Sequence, residues 1–127
     1  MLVSVLEFPA FTADAQSLFT QQELNDLRVL LATNPEAGIR IPGTGGIRKL
    51  RVGLAAKGKG KRGGARVIYY FHSNEIPLAL LAVYAKGEKI DLSADEKRQL
   101  RELVGEYVRE HKQKRRSGTV RKVRGSP

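Results

Sequence analysis

Lys57, Lys59 and Lys61 alternate with glycine, and Arg62 and Arg66 follow closely. Between Glu36 and Glu75 there is no carboxylate, while Arg40, Arg48, Lys49 and Arg51 add further positive charge. A lysine among like charges has its pKa lowered, which brings a neutral amine within reach near neutral pH. A guanidinium offers a planar fork that fits two phosphate oxygens. These nine cations repel one another, a cost that a purely structural hairpin tip has no reason to carry. Residues 41–71 therefore read as a surface that faces a polyanion.

Two strand-like runs must hold that loop. Residues 47–54 follow a Gly-rich turn at Gly43, Gly45 and Gly46, and residues 65–71 return from the loop. In the first run Leu50, Val52 and Leu54 share a face, assigned to the core under the helices, so Lys49 and Arg51 point to the opposite, exposed face. Arg48 falls on the core side but at the strand's edge. In the second run Arg66, Ile68 and Tyr70 share one face, and Val67, Tyr69 and Phe71 the other. Residues 77–85 (PLALLAVYA) are nearly all apolar and predict a central strand buried on both faces over most of its length.

Residues 2–8 predict a first strand, ended by Pro9, and residues 12–19 a short helix. Thr20 and Glu23 form a capping-box signature ahead of a helix that carries Leu24, Leu27, Leu30 and Leu31 and stops at Asn34-Pro35. Ser93 and Glu96 repeat the signature. The helix after them spaces Leu100, Leu103, Val104, Tyr107 and Val108 as a core-facing stripe. Past about Glu110 the periodicity is lost, which predicts a basic, disordered tail over 111–127 beside a domain at 1–110. The expected fold is a small α+β domain: a mostly antiparallel sheet of about four strands, two N-terminal helices and a C-terminal helix.

With 127 residues and 41% hydrophobic content the chain is long enough to bury one core and is globular. It has no Cys, which excludes disulfides, thiol catalysis and a thiolate metal site; two isolated histidines, His72 and His111, argue against a His-based one. His72 sits at a strand end and reads as a surface residue. No metal or cofactor is expected. No apolar run reaches a membrane span, so a cytoplasmic protein without a membrane partner is expected. The net charge of +10 is uneven: residues 1–37 sum to −4, 38–74 to +9, 75–108 to −2 and 109–127 to +7. Two basic patches on an acidic body favour nucleic acid over an anionic membrane, since neither carries an apolar stripe.

The element order, with GTGGIRKLRV, KGKGKRGGARVIYYF and VYAKGE, resembles the RelE/ParE superfamily of bacterial toxin–antitoxin systems, most of all its HigB-type toxins. The resemblance covers roughly residues 1 to 110. It implies a RelE-like fold and a ribosome-dependent endoribonuclease that cleaves messenger RNA and inhibits translation. It also implies a cognate helix-turn-helix antitoxin of the HigA kind, through which alone the pair would meet operator DNA.

Metal-free RNA cleavage needs a base for the 2′-hydroxyl, a stabiliser of phosphate charge and an acid for the leaving 5′-oxygen. The resemblance assigns this work to Lys, Arg and Tyr. Arg66 matches the phosphate-clamping arginine; Lys57, Lys59 and Lys61 are the candidates for base and acid; Tyr84 and Lys86 end the last strand where the family often keeps catalytic side chains, although Tyr84 also fits the core. Gly87 stands where some relatives have an arginine. Arg48, Lys49, Arg51 and Arg62 are expected to bind RNA. So are Lys112, Lys114, Arg115 and Arg116 of the tail, as a tether to ribosomal RNA. Two alternatives remain: a ParE-like gyrase inhibitor on the same scaffold, and a non-catalytic RNA-binding module.

Overall fold

The computed structural model of the chain describes residues 2–54, 64–89 and 91–124, with backbone alone from 115 onward. The elements run β1 (Val5–Glu7), α1 (Pro9–Leu18), α2 (Gln21–Thr33), β2 (Ile39–Arg40), β3 (Arg48–Val52), β4 (Ala65–Tyr70), β5 (Leu78–Ala85) and α3 (Ala94–Arg124). The strands form one sheet in the order β1-β5-β4-β3-β2. Only the β1–β5 pair is parallel; the other three are antiparallel. The expected α+β class is thus observed, with five strands where the sequence predicts about four.

The extra strand comes from the Gly-rich turn. Gly43, Gly45 and Gly46 adopt φ of +79°, +77° and +110°, a region that side chains resist. They fold Ile39–Arg40 back onto β3, closed by Ile41 N–H donating to the Ile47 carbonyl at 2.8 Å. Inside the turn the buried Thr44 hydroxyl donates to the Ile41 carbonyl at 2.6 Å and accepts from Ile47 N–H at 3.1 Å. Periodicity does not reveal such a strand, because it is only two residues long.

Helices cover both faces of the sheet. On one, Phe11, Ala15, Leu27 and Leu31 of α1 and α2 pack on Val67, Tyr69, Leu78, Leu80 and Val83, with Leu50 and Val52 at the margin. On the other, Val104 and Tyr107 of α3 pack on Ile41, Ile47, Ile68, Ala79 and Leu81. Pro9 opens α1, where its missing N–H costs nothing. Both predicted capping boxes form: Thr20 with Glu23, and Ser93 with Glu96.

Two details of α3 depart from the sequence reading. Leu103 is 36% exposed and stands at the margin of the stripe. The backbone continues as helix to Arg124, where the sequence predicts irregular chain after about Glu110. Lys, Arg and Gln are favourable helix formers, and no proline interrupts residues 111–124, so the helix runs on past its packed segment.

Candidate functional site

The site lies where three strands end beside the Lys/Gly loop. β3 leads into the loop and β4 leads out of it. Arg51 pairs with Arg66 across β3–β4, and Arg66 pairs with Tyr84 across β4–β5, so the three side chains form a row across the α3 face of the sheet. Lys49, two residues before Arg51, shares that face opposite Ile68.

Tyr84 reaches this row through a bulge. Pairing steps from Ile68↔Ala82 directly to Tyr69↔Leu80, which leaves Leu81 as an extra residue in β5. Leu78 and Leu80 pack on the α1–α2 side, whereas Leu81, Ala82 and Tyr84 pack on the α3 side. Unbroken alternation from Leu80 would send Tyr84 to the α1–α2 core. The extra residue shifts the phase and sets Tyr84 beside Arg66, a re-aiming typical of bulges near functional sites.

The loop's exit is sterically fixed. A Cβ at Gly64 would sit 2.0 Å from the Val52 carbonyl oxygen, so only glycine fits where the two strands converge. The Gly64 carbonyl in turn accepts from Lys86 N–H at 3.0 Å, which brings the turn after β5 to the same end of the sheet. Lys86 itself is exposed there, past the buried run as expected. Lys57, Lys59, Lys61 and Arg62 lie outside the described residues.

Arg66, near the start of β4, is only 9% exposed. Its Nη1 donates to the Ala65 carbonyl at 3.3 Å. Tyr84 is 5% exposed, and among the described residues its hydroxyl has no hydrogen-bond partner. Burial raises its pKa above the ordinary 10, and the nearby Asp91 carboxylate adds to the rise. Tyr84 is therefore a neutral phenol at physiological pH, a donor in want of an acceptor. The Lys89 ammonium stands 5.3 Å from the centre of its ring, within cation–π range. Lys89 also pairs with Glu96, the capping residue of α3.

The remaining cations divide. Lys49 is half-buried, its Nζ 3.7 Å from an Asp91 carboxylate oxygen, so it is not the open contact expected of it. Arg51 is exposed. Arg48 is committed to the fold: its Nη1 donates to the Gly38 carbonyl at 2.7 Å and to the Glu36 carbonyl at 3.3 Å, and Nη2 meets the Glu36 carboxylate at 3.4 Å. These bonds strap the entry of β2 to β3, a structural role beside the RNA contact expected of it. Lys112 and Lys114 are exposed on α3, away from the row; nothing is described of the Arg115 and Arg116 side chains. His72 is exposed, as expected.

Lys89, Asp91 and Lys97 join the site without having been singled out. Lys89 and Asp91 precede α3 and Lys97 lies near its start, and no local signal in the sequence tells that these charges turn toward the sheet. Among the described residues no group of His, Asp and Glu is placed to hold a metal ion, and no helix is long and apolar enough to cross a membrane. No family model matches the chain.

Proposed function

We propose that this chain is the toxin of a toxin–antitoxin pair, an endoribonuclease that cleaves messenger RNA on the ribosome. The observation that supports it most is the Arg51–Arg66–Tyr84 row at the foot of a loop bearing three lysines. In this reading Arg66 holds the scissile phosphate and the exposed Arg51 guides the strand into place. A neutral lysine of the loop takes the 2′-hydroxyl proton. The 2′-oxygen then bonds to phosphorus as the bond to the 5′-oxygen breaks, and that oxygen takes a proton from a second, protonated lysine of the loop. The products are a 2′,3′-cyclic phosphate and a 5′-hydroxyl. Tyr84 donates a hydrogen bond to a phosphate oxygen as negative charge builds there; its neutral phenol and lack of another partner among the described residues suit that role.

In the same reading the protein acts in the cytoplasm and is silenced by a helix-turn-helix antitoxin. Induction in a bacterial host should arrest growth and give new 5′ ends within open reading frames by primer extension. Ends bearing 5′-hydroxyls support the mechanism. Growth arrest with intact messages would overturn it and favour a gyrase-directed toxin.

A further inference from the structure

A concavity of about 490 Å³ opens on the α3 face between the β2–β3 edge and the head of α3. Register places Ile39 opposite Lys49, so both look onto this face, and Ile41 continues the same wall. Ile39 is 75% exposed, an unusual position for a large aliphatic residue flanked by cations. Pro42 extends the apolar surface, while Lys97 and Asp91 approach from the side of α3. Arg40, Lys49, Arg51 and Lys97 all line the cleft, and Asp91 is the one carboxylate among its described lining residues. Arg51 belongs both to this cleft and to the row through Arg66.

We propose that this cleft is a subsite for one unpaired nucleotide, adjoining the phosphate held at Arg66. The inference rests on the ribonuclease reading and names where the neighbouring residue of the RNA strand sits. An aliphatic wall offers a face to a nucleobase, which gains by leaving water, and the excess of cations complements the phosphate. Arg51, shared with the row, bridges the two positions. Lys49 is held by Asp91 at 3.7 Å in the free protein. An entering phosphate competes with Asp91 for it, so occupancy exchanges an internal ion pair for a contact with the ligand. Apolar surface separates this site from a plain basic patch: inorganic phosphate would satisfy the cations and leave Ile39 bare.

The test is a titration of the isotope-labelled full-length chain with adenosine 5′-monophosphate and uridine 5′-monophosphate, followed by amide chemical shifts. Inorganic phosphate and the free nucleosides serve as controls. The proposal expects saturable shifts at Ile39, Ile41, Lys49 and Lys97 with the nucleotides, and weaker ones with either control. Lys97→Glu should weaken nucleotide binding by about tenfold or more, and Ile39→Ser, at an exposed position, should weaken it without disturbing the fold. Shifts confined to the basic end of α3, or equal with phosphate alone, would overturn the subsite. RNA cleavage by a protein whose cleft does not respond also removes it, leaving the ribonuclease reading intact. A cleft that responds in a protein that cuts no RNA keeps the subsite and removes the ribonuclease.

Discussion

Tyr69 and Tyr84 sit on adjacent strands of one sheet, each almost wholly buried, and face opposite ways. Tyr69 spends its hydroxyl on the fold: it accepts from Gly38 N–H at 2.7 Å and donates to the Pro35 carbonyl at 2.8 Å. Gly38 has to be glycine for this, since a Cβ there would come within 2.8 Å of the Tyr69 ring. Tyr84 has the same chemistry and a comparable depth, yet no partner for its hydroxyl among the described residues. A buried polar group without a partner is rare because it forfeits its hydration and gains nothing in return. The difference separates the two faces: one whose buried polar group is satisfied, and one that keeps a buried hydroxyl without a described partner.

The contrast predicts opposite outcomes at the two tyrosines, and the largest effect at Arg66, the partner of Tyr84 across β4–β5. Arg66→Ala should lower RNA cleavage about a hundredfold or more, the equivalent of roughly 3 kcal/mol of transition-state stabilisation. Because Arg66 is buried, the change also removes packing, so the measurement must be made per folded molecule, with circular dichroism to count them. Full activity in a folded Arg66→Ala protein would remove the phosphate clamp from that side chain.

Tyr69→Phe comes next. It strands the Gly38 N–H and the Pro35 carbonyl and should cost about 2 kcal/mol in denaturant unfolding. Cleavage per folded molecule should not change. Tyr84→Phe should do the reverse: a gain in stability of about 1 kcal/mol, since a buried hydroxyl without a described partner is removed, and a loss of about tenfold in cleavage, near the worth of one hydrogen bond to a charged oxygen. If Tyr84→Phe leaves cleavage untouched, the hydroxyl is a flaw of the core and not part of the site. Since the Tyr84 pKa lies above 10, any activity that depends on its proton should survive up to at least about pH 10 before that proton is lost.

How far the sequence reaches is plain from the same residues. Alternation correctly sets Lys49 and Arg51 opposite Leu50, and Arg66 with Ile68, because β3 and β4 carry polar marks that reveal their phase. It cannot do so for β5. LALLAVYA is apolar in both phases, so an extra residue at Leu81 leaves no trace in the pattern, although it decides which face Tyr84 joins. The capping boxes were legible because they are local: four residues specify the bonds. The burial of Arg66 and the pairing of Lys49 with Asp91 were not, because both depend on residues brought together from distant parts of the chain. Arg48 and Arg51 make the same point on one strand. Both read as RNA contacts, and only the fold shows that one is tied to Glu36 and Gly38 while the other is exposed.

The smallest predicted effect joins the cap of α3 to the open face. Glu96 accepts from Ser93 N–H at 2.9 Å and pairs with Lys89, which stands over Tyr84. The hydrogen bond from Lys89, and then that from Ser93, lower the Glu96 pKa below its ordinary 4.5. A carboxylate with a depressed folded pKa contributes stability that is fully present above the unfolded value. That contribution fades as pH falls from about 4.5 through the lower folded value. The Glu96 side chain is 38% exposed, and screening by solvent limits the effect to roughly a few tenths of a kcal/mol. Glu96→Gln keeps an acceptor for Ser93 N–H, as a capping box allows, but removes the titration. Thermal melts of the two proteins should therefore run parallel above that pH and converge below it. Parallel melts throughout would show that Lys89 is not held by Glu96 in solution, and that the cation over Tyr84 is free to move.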